Sequence, residues 1–255
     1  MSLDEDFCFE EFADRVAELV EKHVNINRLL ELTKPVATAV VPISAGRHIY
    51  KREPSFPIAV ACDPAFNFVY EANIRYLHHL GEVTYFSPLA DTSLPDAGFV
   101  YFPGGYPELY LAALSANRQM LQSIRRYVES GGKLLAECGG MMYLCDEIRD
   151  KNGDVYPMAG VLHQSATMEN MKLRLGYRTL LYNETRLKGH EFHYSRLVEQ
   201  QNPLPSCAVA YTAKGVETDT PLYHYKNVWA GYTHLYWADP VGNEWFTKFV
   251  IDGNT

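Results

Sequence analysis

The strongest constraint on the fold of this chain is a series of short apolar runs that alternate with helical patterns. Each run is continuous and four to six residues long, which is typical of strands buried on both faces. Strands that alternate with helices predict an α/β fold with a doubly wound, mostly parallel sheet, whose ligands bind beyond the carboxyl ends of the strands. The runs lie at residues 57–62, 83–86, 98–102 and 133–137.

A helical pattern over residues 10–32 dominates the start of the chain, and either Asn25 or Asn27 is suited to cap its second part. The mixed stretch that follows predicts a linker. We therefore divide the chain into residues 1–55, which are helix and linker, and residues 56–255, which form the main domain.

The sequence pattern of that domain changes after Asp150. Short runs rich in aromatic and β-branched residues, separated by turn clusters, predict additional β-strands. A closing helix is predicted over residues 243–251. The predicted strands cover residues 177–182, 191–197, 208–211 and 228–237.

Composition excludes several classes of function. The net charge of -8 over 255 residues argues against nucleic acid or an anionic membrane as partner, because both attract basic surfaces. No apolar run is long enough to span a bilayer and the N-terminus is acidic, so we expect a cytoplasmic protein. Five cysteines without a C-x-x-C pair do not suit a disulfide framework or a zinc ribbon, which leaves a reactive thiol as one alternative.

Cys138 lies where a predicted strand meets a predicted helix, and it is followed by Gly139 and Gly140. This order is typical of a nucleophile elbow, a strained turn that lifts a side chain out at the sheet edge. The helix N-terminus is expected to lower the pKa of the thiol, and the Gly139 N–H is placed to bind an oxyanion. The same pattern also fits a buried structural cysteine.

Gly104 and Gly105 follow another predicted strand, where glycine lets backbone N–H groups face a ligand. Gly105 is therefore a candidate second oxyanion donor, although a plain Gly-Pro loop fits as well. A thiol nucleophile also needs a base within hydrogen-bond reach. His234 and His193 are both candidates, and periodicity does not choose between them.

Two other kinds of site fit poorly. His190 and His193 would lie on opposite faces of a strand, so we predict no metal site there. The chain also has no G-x-x-x-x-G-K-[ST] motif to hold a triphosphate.

Four runs, in this order along the chain, resemble the cobyrinic acid a,c-diamide synthase family, and specifically its C-terminal glutamine amidotransferase half. The resemblance covers roughly residues 58–250, and its most specific run is Gly-His-Glu-Phe-His-Tyr-Ser. The four runs are Phe-Ser-Pro-Leu-Ala-Asp at 86–91, Pro-Gly-Gly-Tyr-Pro-Glu-Leu at 103–109, Ala-Glu-Cys-Gly-Gly-Met-Met-Tyr-Leu at 136–144 and the seven residues at 189–195.

The resemblance implies a flavodoxin-like amidotransferase domain with extra β-strands that hydrolyses glutamine to supply ammonia. Cys138 would be the nucleophile and His234 the histidine that activates it. The remaining site residues implied by the matching motifs are Gly104, Gly105 and Gly139 around the oxyanion, and Tyr106, His193 and Tyr194 lining the site.

Two departures from the wider class follow from the same comparison. Many class I amidotransferases have a glutamate two residues after the histidine, where this chain has Tyr236; the cobyrinate branch similarly lacks that glutamate. Members of the family also carry an N-terminal ATP-dependent synthetase domain. Residues 10–32 resemble the tail of that domain, so we expect a fragment or one half of a split enzyme.

The partners implied are glutamine, the synthetase domain and, through it, a corrin whose carboxylates are amidated. ATP and magnesium would bind only that domain, so no cofactor is expected in this chain, and a homodimer is compatible with the sequence. Three alternatives stay open. They are a diamide synthase for another tetrapyrrole, a catalytically silent scaffold that docks to a synthetase, and a cysteine hydrolase of the same fold.

Overall fold

The computed structural model describes residues 9–33, 56–201 and 203–252, which belong to two compact units. The first unit contains helices α1 (Phe9–His23) and α2 (Ile26–Leu32). Asn25 caps α2, since its side-chain oxygen accepts a hydrogen bond of 2.9 Å from the Arg28 N–H. The predicted helices and the Asn25 cap are therefore confirmed. Most of the predicted linker lies outside the described residues, and the origin of residues 1–55 in a synthetase domain stays a prediction.

The second unit is built from strands and helices that alternate in its first half. Its helices are α3 (Glu71–Leu80), α4 (Leu111–Ala116), α5 (Arg118–Glu129), α6 (Gly139–Leu144) and α7 (Pro240–Thr247). Its strands are β1 (Phe56–Ala61), β2 (Gly81–Phe86), β3 (Phe99–Phe102), β4 (Lys133–Glu137), β5 (Glu147–Arg149), β6 (Val155–Pro157), β7 (Ser165–Thr167), β8 (Arg174–Tyr182), β9 (Thr185–His193), β10 (Arg196–Leu197), β11 (Val209–Thr212), β12 (Glu217–Thr218), β13 (Leu222–Tyr225), β14 (Val228–Gly231) and β15 (His234–Tyr236).

A six-stranded sheet in the order β13-β14-β4-β3-β1-β2 forms the centre of this unit. All neighbouring pairs are parallel except the edge pair β13 and β14. Alternate side chains of β3 enter different cores, since Val100 and Phe102 pack with Ile124 of α5 while Phe99 and Tyr101 pack with Phe246 of α7. Both faces are thus covered, which confirms the predicted α/β class and the buried parallel strands.

The β-rich part forms two smaller sheets, in the orders β12-β11-β8-β9-β15 and β10-β7-β5-β6. The prediction of single strands over 191–197 and 228–237 was wrong. The second run breaks after Gly231, so that β14 joins the central sheet and β15 pairs antiparallel with β9. An apolar run indicates that its residues are buried, but it does not indicate that the two halves of the run belong to different sheets.

The closing helix begins at Pro240, three residues before the predicted start at Asn243. Asp239 caps it, because its carboxylate accepts a hydrogen bond of 2.7 Å from the Gly242 N–H. The helix ends at Thr247 and continues as a wider turn over Lys248–Asp252. None of the helices described here has the length and apolarity that crossing a bilayer requires.

Candidate active site

The strands β3, β4 and β14 are parallel neighbours, so their carboxyl ends lie together at one edge of the central sheet. Gly104 follows β3, Cys138 follows β4, and His234 lies three residues after the end of β14. The parallel topology therefore gathers three separate sequence motifs at one place.

Cys138 occupies a strained turn between β4 and α6, with φ 48° and ψ -107°. Its N–H donates a 2.8 Å hydrogen bond to the Gly231 carbonyl, and its carbonyl accepts one of 3.0 Å from the Met142 N–H. A side chain on Gly140 would lie 2.4 Å from the Phe102 carbonyl oxygen, so glycine is needed for the helix to approach the sheet. The predicted sharp strand-to-helix turn is present, and surrounding bonds hold its unfavourable backbone conformation.

Gly105 lies against the loop that follows β1. A Cβ at this position would be 2.1 Å from the Ala65 carbonyl oxygen, and the next N–H, of Tyr106, donates a 3.0 Å hydrogen bond to the same oxygen. A Cβ on Gly139 would be 3.2 Å from the Gly105 nitrogen. The backbones of the two predicted oxyanion donors are therefore neighbours beside Cys138.

Asp63, which belongs to none of the four runs, fixes the loop against which Gly105 packs. One carboxylate oxygen accepts a 2.8 Å hydrogen bond from the Ala65 N–H, and the other accepts bonds from the Ser87 hydroxyl and the Leu89 N–H. The loops after β1 and β2 are thereby tied together. The sequence signal for this role was an Asp-Pro pair directly after a buried strand.

The His234 ring packs on Gly104, on the glycine turn that also borders Cys138. A Cβ on Gly104 would lie 2.1 Å from Cε1 of His234, so only glycine leaves room for the ring. The ring centroids of Phe68 and His190 lie 4.5 Å and 5.0 Å away, in edge and stacked arrangements. The side chain is 3% exposed, and within the described residues its Nδ1 atom has no hydrogen-bond partner.

Burial lowers the pKa of His234 to about 3, and the imidazoles of His190 and His193 add to the shift. The ring is consequently neutral at physiological pH. A neutral imidazole has a free lone pair and can accept a proton.

Glu137 and Asn73 hold the strand that carries His234. The Leu235 N–H donates a 3.0 Å hydrogen bond to Glu137, which also accepts one of 2.7 Å from the Tyr101 hydroxyl. The Asn73 amide donates a 2.8 Å hydrogen bond to the Leu235 carbonyl and accepts one of 3.2 Å from the Trp237 N–H. His234 is thus positioned through the backbone of its own strand.

His193, the rival candidate base, belongs to a buried polar network. Its Nδ1 atom is 2.8 Å from the Ser195 carbonyl oxygen, its Nε2 atom is 3.6 Å from a Glu191 oxygen, and its ring stacks on Tyr232 at 3.8 Å. Glu191 also accepts a hydrogen bond of 2.7 Å from the Thr220 hydroxyl. These contacts fix the orientation of His193.

A small cleft opens beside Cys138. Five predicted site residues line it, whereas Gly104, Gly139 and His234 are not among its lining residues. Four further lining residues have no predicted role, and they are Glu108, Met142, Phe192 and Ser195. The complete lining is Gly105, Tyr106, Glu108, Cys138, Met142, Phe192, His193, Tyr194 and Ser195.

Residues 57–241 match the family model described as the CobB/CobQ-like glutamine amidotransferase domain. The chain belongs to this family. The resemblance that the four sequence runs suggested is therefore confirmed, and so is the assignment of the main domain as a glutamine amidotransferase.

Named relatives of this amidotransferase domain agree with the family. The chain is 37% identical over 236 residues to a cobyrinate a,c-diamide synthase of Picrophilus torridus, covering 88% of this chain and 49% of that protein. It is 40% identical over 185 residues to a hydrogenobyrinate a,c-diamide synthase of Pseudomonas aeruginosa, covering 70% of this chain and 41% of that protein. The chain spans about half the length of the relatives it matches.

Comparison with solved structures gives the same fold class. The structure of PurLQS from Thermotoga maritima matches with a TM-score of 0.50 and 16% identity, over 78% of this chain and 96% of that one. At this level of identity the likeness concerns the fold alone, and it supports the flavodoxin-like arrangement of the central sheet.

The thiol of the amidotransferase domain is protonated at physiological pH. Burial raises the pKa of Cys138 to about 12, and the charges of Glu108, Glu137 and Glu191 act in the same direction, while the Gly139 N–H opposes them. The Gly139 N–H at the start of α6 lowers this pKa, as predicted, but the larger effect of desolvation outweighs it, so the expected net lowering of the pKa was wrong. In the part of the chain that the structure describes, no three metal-ligating side chains lie close enough to share an ion.

Proposed function

We propose that this chain is the glutaminase part of a corrin a,c-diamide synthase, with Cys138 as nucleophile and His234 as general base. The observation that supports this most is the shared glycine turn: the His234 ring packs on Gly104, and Gly139, which follows Cys138, packs on Gly105. The names of the relatives support the corrin substrate.

The proposed reaction begins with a neutral thiol and a neutral imidazole. His234 accepts the thiol proton as sulfur attacks the side-chain amide carbon of glutamine, and the N–H groups of Gly105 and Gly139 stabilise the oxyanion. The C–N bond then breaks as His234 returns the proton to nitrogen, which leaves ammonia and a glutamyl thioester. Water hydrolyses the thioester to glutamate and restores the thiol.

The ammonia would then react with a carboxylate of the corrin that a synthetase domain has activated with ATP and magnesium. The support for such a partner is the length of the relatives, about half of which this chain spans. Cobyrinate and hydrogenobyrinate are the substrates in the relatives' names, and we propose one of these two corrins rather than another tetrapyrrole.

The test is glutamine hydrolysis, assayed as glutamate and ammonia release with and without a synthetase domain. Cys138→Ala should reduce turnover by at least about 10³-fold, as expected for loss of a nucleophile. Cys62→Ser, which alters an exposed free cysteine, is the matched control and should retain full activity. Undiminished turnover in Cys138→Ala would end the proposal.

One observation favours the second candidate, a domain that is silent by itself and docks to a synthetase. The buried thiol with its raised pKa is poorly prepared to react in the free domain. An electrophilic glutamine analogue, 6-diazo-5-oxonorleucine, separates the candidates by mass spectrometry. Labelling of Cys138 supports the enzyme, whereas no labelling with or without the synthetase supports the scaffold.

A further inference from the structure

Glu108 is an acidic residue beside the nucleophile for which the proposed reaction has no role. It belongs to the short 3₁₀ turn Pro107–Leu109, which begins two residues after Gly105, and it lines the same cleft as Cys138. Burial raises the pKa of its carboxyl group, while its own backbone N–H opposes the shift.

The charges of three carboxylates raise the pKa of the Cys138 thiol, and two of these carboxylates accept hydrogen bonds within the protein. Glu137 accepts hydrogen bonds from Tyr101 and the Leu235 N–H, and Glu191 is paired with Arg178 and Thr220. Among the described residues, no lysine, arginine or histidine forms an ion pair with Glu108. Glu108 is therefore the carboxylate that a ligand in the cleft can pair with.

The cleft lacks lysine and arginine and contains one carboxylate, so it suits a cationic group better than an anionic one. The substrate of the proposed reaction carries such a group. When the side-chain amide of glutamine reaches Cys138, its α-ammonium would lie at the other end of a short aliphatic chain.

We propose that Glu108 binds the α-ammonium of glutamine, and that this ion pair neutralises a carboxylate that shares the cleft with the reacting thiol. The inference rests on the proposed function and identifies a specificity determinant within it. Substrate binding would then remove one of the charges that oppose thiolate formation, so that the site becomes more reactive when an α-amino acid is bound.

The kinetic test compares glutamine with glutaramate, the same amide without the α-amino group. Glu108→Gln should lower kcat/KM for glutamine by about 10- to 100-fold, as expected for a hydrogen bond between charged groups, and should leave glutaramate hydrolysis within about twofold. Glu108→Asp should retain a preference for glutamine. Glu129→Gln, on the exposed face of α5, is the control and should behave like the wild type.

A second measurement needs no turnover. The rate of Cys138 alkylation by iodoacetamide, followed against pH in the free protein, should be higher at each pH between 7 and 10 in Glu108→Gln than in the wild type, because loss of the carboxylate favours the thiolate. A saturating non-reactive α-amino acid should raise the wild-type alkylation rate, whereas saturating glutaramate should not, because only the α-amino acid carries the ammonium that pairs with Glu108.

The outcomes distinguish this inference from the function on which it rests. Equal losses for glutamine and glutaramate in Glu108→Gln would overturn it, as would an unchanged kcat/KM for glutamine. If Glu108→Gln does not fold, the wild type alone still tests the inference. Equal kcat/KM values of the wild type for glutamine and glutaramate would exclude recognition of the α-ammonium. Activity that persists in Cys138→Ala refutes the proposed nucleophile instead.

Discussion

Cys138, His234 and Glu137 are all buried, and burial favours the uncharged form of each. Under the proposed mechanism, the thiol and the imidazole would therefore start as a neutral pair, and the proton would move as the substrate carbonyl reacts. Such a pair would differ from a preformed thiolate–imidazolium pair and would give the glycine N–H groups a larger part in stabilising the charge that develops.

Glu137 gives a prediction about pH and stability. Burial raises its pKa from 4.5 to about 7, although hydrogen bonds from Tyr101 and Leu235 oppose the shift. A carboxyl group with a raised folded-state pKa stabilises the fold below its unfolded pKa, and that stabilisation is lost as pH rises towards the folded value. We expect the free energy of unfolding of the wild type to fall by about 3 kcal/mol relative to Glu137→Gln between pH 4.5 and 7.5.

Urea unfolding of both proteins across this range measures the difference. The comparison with Glu137→Gln removes the contribution of His234, whose lowered pKa changes stability in the opposite direction. Parallel stability curves for the two proteins would mean that folding does not raise the pKa of Glu137.

Gly104 gives a prediction about activity without loss of the fold. In Gly104→Ala, the methyl group would lie 2.1 Å from Cε1 of His234, so the imidazole must shift. A displacement of about 1 Å in a catalytic group costs roughly 10²-fold in rate, and we expect this loss in kcat. Because the ring is buried, we also expect the overpacking to destabilise the fold by about 1–3 kcal/mol without preventing folding. Wild-type kcat in a folded Gly104→Ala protein would show that the position of this ring is unimportant.

At the level of elements, the sequence predicts those parts of the fold that local pattern determines. The strand over 133–137 and the turn at Cys138 that follows it are both predicted from a buried run that leads directly into Cys-Gly-Gly. The break between β14 and β15 was not, because it depends on Glu137 accepting the Leu235 N–H from a distant part of the chain. Glu108 was missed for a related reason, since its place in the cleft follows from the turn at Gly105.

The attachment of β15 to α3 gives a prediction at this scale. Asn73 is fully buried and bonds to the backbone at both Leu235 and Trp237, so Asn73→Ala leaves two polar groups without partners. We expect it to destabilise the fold by about 2–4 kcal/mol in urea and to lower glutaminase kcat, because β15 carries His234. Asn152→Ala, in an exposed turn, is the control.

Asn73→Asp refines that test. At a pH where the introduced carboxyl group is ionised, aspartate can still accept the hydrogen bond from the Trp237 N–H, but it has no proton to donate to the Leu235 carbonyl. If the Leu235 contact positions His234, Asn73→Asp should lower kcat nearly as much as Asn73→Ala does. A kcat close to that of the wild type would place the important contact at Trp237.

At the level of the whole molecule, the chain spans about half the length of its named relatives, and its thiol is buried and protonated. Under the proposed function, a synthetase partner would change the state of the site. With a pKa of about 12, the thiolate fraction of Cys138 should rise about tenfold per pH unit between pH 7 and 10. The rate of alkylation of Cys138 in the isolated chain should follow that slope, with no plateau.

Adding a synthetase domain supplies the decisive comparison. If docking opens the cleft, alkylation at pH 7.5 should accelerate and its pH profile should bend towards a plateau at lower pH, since a better solvated thiol ionises more readily. Mass spectrometry of a Cys62→Ser background removes the contribution of the exposed thiol. A rate at pH 7.5 that is already fast and unaffected by the partner would mean that the isolated domain holds a prepared thiolate and needs no activation.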